Sequence, residues 1–368
     1  MKRSSKNALG LIVTTGVFIV INALAWVSPS WVDLYHRYVY NPVSRLFSHV
    51  TGAVPLSVGE FMIMAGLLLL GAAPFALVIP LVKKQKRTLK IAGSIYAWVL
   101  VFILGTETLN CFVLYHTTEL PVKLSAYAAP EGYTAKQLVD YCGEVIEKAN
   151  ELSLEVPRDE QGEVMLPDLH HEAQEAFEKA SGMYPELYGY VPPPKGIMNS
   201  WLMCQTDLQG IYFPFSLEGN YNTHLSPART PCTVFHELCH VKGFIREDEA
   251  TYLACVLCME SDDPAVQYSG YITAMNYLFA EAKKHASEED IYALRCRLSA
   301  QVAKDNYFVK EEYMKKVEEK SPVSNKTASA ASQKAMDTTL RANGITDGKH
   351  SYGRCVTLLL IYRYGIRA

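Results

Sequence analysis

Two histidines four residues apart, His236 and His240, enclose a glutamate in the segment HELCH. On an α-helix, residues i and i+4 lie one turn apart on the same face, so both imidazoles can reach one ion. Imidazole nitrogen is a common zinc ligand. Glu237 stands beside this pair, where its carboxylate can take a proton from a zinc-activated water without binding the metal. The spacing predicts a hydrolytic zinc site with Glu237 as general base and, later, as the acid that protonates the leaving amine.

The third protein ligand is expected from the segment that follows the two histidines. Gly243 can end the first helix in a left-handed cap and turn the chain back. Glu247 then stands at the head of a second helix. Ala250, Thr251 and Ala254 share its face, and the two small alanines would let the helices approach closely. We therefore expect His236, His240 and Glu247 to bind the metal.

Two other carboxylates of this segment are alternatives for the third ligand. Glu249 points about 160° away from Glu247 around the helix. It remains a fallback because the geometry of the turn is not set by the sequence. Asp248 is a weaker alternative.

Three stretches of the first third of the chain predict membrane-spanning helices. The hydrophobic share is 49%, and the apolar residues concentrate at 8–27, 61–82 and 91–115. A helix that crosses a bilayer needs roughly 20 apolar residues. The first stretch follows basic residues, as a signal peptide would, but its apolar run is too long for one. We expect three spans.

The flanking charges predict the orientation of these spans. Basic residues mark the cytoplasmic side of a membrane. Three of the first six residues are basic, and the loop at 83–90 reads KKQKRTLK, whereas only Arg37 and Arg45 lie between the first two spans. This pattern predicts a multi-pass protein of the cell membrane. Its N-terminus lies in the cytoplasm, and its C-terminal domain lies outside.

The remaining chain predicts an α+β fold. Apolar residues recur at helical spacing over 134–152 and 170–184. Short aromatic runs at 198–203 and 211–215 favour antiparallel strands. The expected organisation is a three-helix membrane anchor at 1–120, followed at 121–368 by a mainly helical domain with a small antiparallel sheet.

The combination of three N-terminal spans, KGIMNSW with GIYFPF, and HELCH followed by GF and EDEA resembles an uncharacterised bacterial family of membrane-anchored zincin-like proteins. The resemblance covers most of the chain, and HExxH is shared more broadly with gluzincin metallopeptidases. Many gluzincins take the third ligand from ExxA followed by Asp, where the Asp orients a histidine. Glu247–Ala250 fits ExxA, but Thr251 occupies the Asp position. The spacing from His240 to Glu247 is also shorter than is usual in gluzincins. In metzincins a third histidine would stand at Arg246.

The resemblance implies further roles around the metal. An edge strand at Gly210–Phe215 would hold an extended peptide by main-chain hydrogen bonds. Four polar residues before HELCH could line the cleft or could form an ordinary polar turn: Glu218, Asn220, Asn222 and His224. An oxyanion stabiliser is also needed, and it could be any of Tyr268, Tyr271, Tyr277, Arg295 and Tyr352.

The leading hypothesis is a membrane-anchored, zinc-dependent metallopeptidase whose substrate is a peptide or protein near the bilayer. The alternative is a membrane sensor or binding module with a non-catalytic zinc site. An intramembrane protease fits less well, because the segment around HELCH is too polar for a span. Nucleic-acid binding is not expected, since the net charge is −3 and no basic stripe is present.

Overall fold

The computed structural model describes residues 2–346, 348 and 354–366. The chain divides into two compact units. The first comprises Met1–Thr118 together with Phe213–Glu218, and the second comprises Glu119–Tyr212 together with Gly219–Ala368.

Long apolar helices dominate the first unit: α1 (Lys2–Val27), α4 (Val58–Val82) and α5 (Lys86–Glu107). Few of their apolar side chains are covered by protein, which is unfavourable in water and suited to lipid. The segments long and apolar enough to cross a membrane are Lys6–Val27, Val58–Val82 and Lys86–His116. The prediction of three such helices is confirmed.

Shorter helices complete the first unit. α2 (Pro29–Tyr35) and α3 (Asn41–Gly52) are joined by a π-helical turn at His36–Tyr40. α5 is extended by a π-helical turn at Thr108–Phe112 and a 3₁₀ turn at Leu114–His116.

The segment Phe213–Glu218 also belongs to the first unit. Glu218 is buried, and its carboxylate accepts hydrogen bonds from the backbone N–H groups of Val58 (3.2 Å) and Gly59 (2.8 Å). These N–H groups open α4, where a helix carries unpaired donors and partial positive charge. Glu218 therefore caps the N-terminus of α4.

The second unit is mainly helical. The helices predicted at 134–152 and 170–184 are present, although the second ends at residue 180. The bounds are α6 (Leu120–Lys123), α7 (Ala135–Glu155), α8 (Leu169–Ala180), α9 (Ser200–Gln205), α10 (Thr230–Val241), α11 (Glu247–Met259), α12 (Pro264–His285), α13 (Glu288–Arg297), α14 (Ala300–Asp305), α15 (Glu311–Lys320), α16 (Asn325–Ala342) and α17 (Cys355–Ile361).

The core of this unit lies where α12 packs against α7, α10 and α11. α11 is central, because every residue from Asp248 to Met259 is buried. Gly270 of α12 permits close approach to α11, since a Cβ there would lie only 2.7 Å from the Cβ of Cys258. Helices in such contact form a rigid base for side chains at their ends.

Three short strands form a mixed sheet: β1 (Lys195–Ile197), β2 (Gly210–Phe213) and β3 (Glu218–Asn222), in the order β1-β3-β2. β1 runs parallel to β3, with Lys195 opposite Asn220. The expected antiparallel sheet is therefore wrong in part. The KGIMNSW and GIYFPF segments are not paired with each other, because β3 lies between their strands.

The strand predicted at 198–203 is also wrong, because α9 begins at Ser200. Leucine and methionine are strong helix formers, and this run contains no β-branched residue after Ile197 to favour a strand. The Ser200 hydroxyl donates to the Ile197 carbonyl at 2.6 Å and fixes the turn between β1 and α9.

Candidate metal centre

Helix α10 carries the HELCH segment on an otherwise apolar helix. Val234, Phe235 and Leu238 are buried in the hydrophobic core, which fixes how the helix is rotated about its axis. His236 and His240, one turn apart, consequently share a face. His240 is only 6% exposed, so both its position and its hydrogen bonds are set by the surrounding protein.

The turn after α10 brings Glu247 back to the histidines. Gly243 has a φ of 92°, the left-handed conformation that glycine adopts without strain. The Phe244 N–H then donates to the Cys239 carbonyl at 3.1 Å and closes the helix end. α11 begins at Glu247, and Ala250 and Ala254 are fully buried in the core that α10 also joins.

The side chains of His236, His240 and Glu247 converge. Each offers a ligand atom, and these atoms all lie within 4.8 Å of one another. His236 Nε2 is 3.0 Å from His240 Nε2 and 3.1 Å from Glu247 Oε2, and His240 Nε2 is 3.6 Å from Glu247 Oε2. Tetrahedral zinc ligands at 2.0–2.1 Å from the ion would be about 3.3 Å apart. The donor set and its spacing therefore fit zinc.

Both histidines have partners that direct Nε2 towards this point. His240 Nδ1 lies 2.7 Å from the Phe244 carbonyl, which can only accept, so Nδ1 carries the proton. His236 Nδ1 lies 3.4 Å from the Thr251 hydroxyl. The Thr251 hydroxyl is thus in a position to orient the His236 ring.

Glu237 is buried directly beside the ligand pair. Burial raises the pKa of its carboxyl, His236 and His240 lower it, and the resulting pKa is about 7. The backbone N–H of Tyr212 in β2 donates a hydrogen bond to this carboxylate. Glu237 is therefore held by a strand beside His236 and His240, with a raised pKa in the metal-free protein.

The charges of the ligands are strongly coupled in the metal-free protein. Burial lowers the pKa of His240, but the carboxylates of Glu247 and Glu237 raise it by more. The resulting pKa is about 9. Burial raises the pKa of Glu247, but His240 and His236 together hold it well below its usual value. A carboxylate thus faces an imidazolium where a cation could bind.

The alternative third ligands lie in other environments. Glu249 Oε1 accepts from the Leu120 N–H at 2.7 Å and from Arg246 Nη1 at 3.2 Å. Asp248 Oδ2 accepts from Arg354 Nε at 2.9 Å. Of the three acidic residues that open α11, Glu247 is the one that meets the histidines.

Four polar residues considered for the lining of a cleft make hydrogen bonds or ring contacts within the fold. Glu218 caps α4, as described above. The other three hold the strands and their flanks in place. Asn220 Nδ2 donates to Ile211 O at 3.2 Å, Asn222 Nδ2 donates to Leu208 O at 3.2 Å, and the His224 ring stacks on Tyr313 at 3.8 Å.

Among the five residues considered as oxyanion stabilisers, Tyr277 lies near the candidate metal centre. Thr251 and Glu247 are among its electrostatic neighbours. Burial raises its pKa far above the usual value, so the phenol stays protonated and can donate. The others are placed differently: Tyr268 donates to Asp305 at 2.8 Å, Tyr271 lies near Lys148 and Glu151, Arg295 is exposed, and Tyr352 lies outside the described residues.

Two glycines of the site are not identified by sequence reasoning. A Cβ at Gly210 would lie 2.6 Å from Glu237 Cγ, and a Cβ at Gly219 would lie 3.2 Å from Glu237 Cβ. At Gly210 a larger residue would clash with Glu237, and at Gly219 it would make a tight contact with Glu237. Gly210 opens the strand-like run GIYF, and this glycine is the available signal, since a glycine in a strand often marks close backbone approach.

Comparison with known proteins gives a family and no function. Neither a curated protein nor a solved structure matches this chain. A family model described as "Protein of unknown function (DUF3810)" matches residues 35–360, so the chain belongs to this family.

Proposed function

We propose that this protein is a zinc-dependent metallopeptidase anchored in the cell membrane. The observation that carries the proposal is the convergence of His236, His240 and Glu247 at separations of 3.0–3.6 Å, with the Glu237 carboxylate buried beside them. A surface helix with two solvated histidines would need none of the supporting contacts at Phe244, Thr251 and Tyr212.

Each residue has a defined part in the proposed reaction. His236, His240 and Glu247 would hold the ion, which, when bound, acidifies water and polarises the scissile carbonyl. Glu237 accepts the proton of the attacking water and delivers it to the leaving amine as the C–N bond breaks. The Tyr212 N–H keeps the Glu237 carboxylate in place. Among the five residues considered for the developing oxyanion, Tyr277 is the one with a protonated phenol near Glu247, so it is the first donor to test.

The proposal also includes location and substrate. The basic residues at the N-terminus and in the loop at 83–90 favour a cytoplasmic position for these two segments. The second unit would then lie outside the cytoplasm, tethered to the bilayer. Its substrate would be a peptide or protein near the outer membrane surface.

The test compares wild type with Glu237→Gln and His240→Ala as full-length, detergent-purified proteins. Zinc content is measured by mass spectrometry, and cleavage is measured on a peptide library. We expect near-stoichiometric zinc in wild type and Glu237→Gln, and none in His240→Ala. Cleavage should fall by about 10²–10⁴-fold in Glu237→Gln, the usual size of a general-base contribution.

The same experiment separates a peptidase from a binding module. A non-catalytic zinc site predicts zinc in wild type but no cleavage that Glu237→Gln abolishes. Folded, freshly purified wild type without bound metal would rule out the peptidase. His285→Ala is a matched control, because His285 is an exposed histidine whose ion-pair partner in the described structure is Glu281 of its own helix.

A further inference from the structure

One cation beside the proposed centre has no acidic partner. Arg229 is half-buried, and its guanidinium makes no ion pair or hydrogen bond with any residue that the structure describes. Burial lowers its pKa, which marks an environment that disfavours the charge. A half-buried guanidinium is normally paired, since removing it from water otherwise costs free energy.

The backbone of Arg229 has a role at the start of α10, but its side chain has none there. The residue precedes α10, and its carbonyl accepts from Thr233 N at 3.2 Å and Thr233 Oγ1 at 3.1 Å. Its side chain makes no capping hydrogen bond. The start of α10 therefore does not depend on the guanidinium.

Arg229 lies in line with the metal ligands on α10. At 3.6 residues per turn, positions 229, 233, 236 and 240 fall within about 60° of one another around the helix axis. Arg229 therefore shares the face of His236 and His240, about 10 Å along the axis from His236. Tyr277 and Cys232 are the electrostatic neighbours of Arg229, and Tyr277 is also a neighbour of Glu247.

This distance corresponds to a short stretch of substrate. An extended peptide advances about 3.3 Å per residue, so about three residues separate a bond at the metal from a group at Arg229. A carboxylate is the group in a peptide that pairs with a guanidinium through two parallel hydrogen bonds. Such a pair would neutralise a charge that the described protein leaves unpaired.

We propose that Arg229 binds a carboxylate of the substrate within about three residues of the scissile bond. This inference rests on the proposed peptidase function. The carboxylate has two sources in a peptide, an aspartate or glutamate side chain and the free C-terminus. The site would therefore favour acidic peptide segments or the C-terminal ends of chains.

The test uses zinc-loaded, full-length wild type, Arg229→Met and Arg229→Lys with matched peptides. One peptide pair differs by Glu against Gln near the cleaved bond, and another by a free against an amidated C-terminus. We expect wild type to prefer one carboxylate by about 100-fold in kcat/KM, mostly through KM, and Arg229→Met to lose that preference. Arg229→Lys should keep part of it. The pair that responds identifies the source.

Arg295→Met is the matched control, because Arg295 is exposed on α13 and has no ion pair in the described structure. Equal cleavage of charged and neutral peptides by wild type would overturn the role of Arg229, as would a preference unchanged in Arg229→Met. Both results would leave the peptidase proposal intact. Absence of any Glu237-dependent cleavage would overturn the peptidase proposal and this inference with it.

Discussion

Two faces of α11 begin with carboxylates that are removed from bulk water to different extents and have opposite uses. Glu247 is half-buried and meets two histidines, which lower its pKa, so it stays ionised. Glu249 is fully buried, and burial raises its pKa despite Arg246. Burial raises the pKa of Asp248 in the same way despite Arg354. Burial alone therefore does not distinguish a ligand from a structural acid.

The partners explain the difference. An arginine stays protonated at all accessible pH values, so it neutralises its acid partner and has no lone pair to offer a metal ion. Histidine can lose its proton and then offers a lone pair to the same ion as its carboxylate neighbour. On the Glu247 face a metal ion can thus replace the proton of a histidine. The Glu249 carboxylate, in contrast, already has hydrogen-bond partners within the protein.

The largest expected effect comes from neutralising the acidic residue on each face of α11 in turn. Glu247→Gln should lower zinc affinity by more than the roughly 10- to 100-fold that loss of an outer partner costs, because a ligand is removed. Glu249→Gln should leave the affinity within about threefold of wild type. Competition with a chromogenic chelator measures both values. Comparable losses in the two variants would contradict the division of α11 into a metal face and a structural face.

Much of this division follows from the amino-acid sequence. HELCH fixes the i, i+4 histidine pair, and helical phase by itself separates Glu247 from Glu249. Apolar length likewise predicts the three spans. These features depend on local geometry and composition, which a sequence displays directly.

Other features depend on contacts between distant segments. β3 reads EGNYN, without the alternation that would identify a strand, and is ordered by β1 on one side and β2 on the other. The Tyr212 N–H reaches Glu237 only after the chain has folded. The contact between Thr251 and His236 is not predictable from the sequence either, because it depends on how α10 and α11 pack.

The second effect in size is the pH dependence of zinc binding. The metal-free His240 has a pKa of about 9, so zinc must displace its proton below that pH. Apparent affinity should therefore rise about tenfold per pH unit, or roughly 100-fold from pH 6 to 8, and level off above pH 9. Isothermal titration in buffers of different ionisation enthalpy measures both the affinity and the protons released. A constant affinity from pH 6 to 8 would show that Glu247 does not charge the histidine.

A smaller effect is expected at the partner of His236. Thr251→Val keeps the side-chain shape and removes the oxygen that faces Nδ1, so zinc affinity should fall by about 10- to 100-fold. Thr251→Ser retains the hydroxyl and should stay close to wild type. Equal affinities in the Val and Ser variants would mean that the 3.4 Å contact does not orient the ring.

Substitutions of Glu249 should have the smallest effect on zinc affinity and the clearest effect on stability. Glu249→Gln removes the charge opposite Arg246 but keeps an oxygen for the Leu120 N–H, so the free energy of unfolding should fall by about 1–3 kcal/mol. Glu249→Ala should cost more, because it leaves both donors buried without their acceptor. Denaturation of the zinc-free proteins in one detergent measures the series. If Glu249→Ala were as stable as wild type, Glu249 would not hold α6 to the start of α11. The contrast between a structural Glu249 and a metal-binding Glu247 would then be wrong.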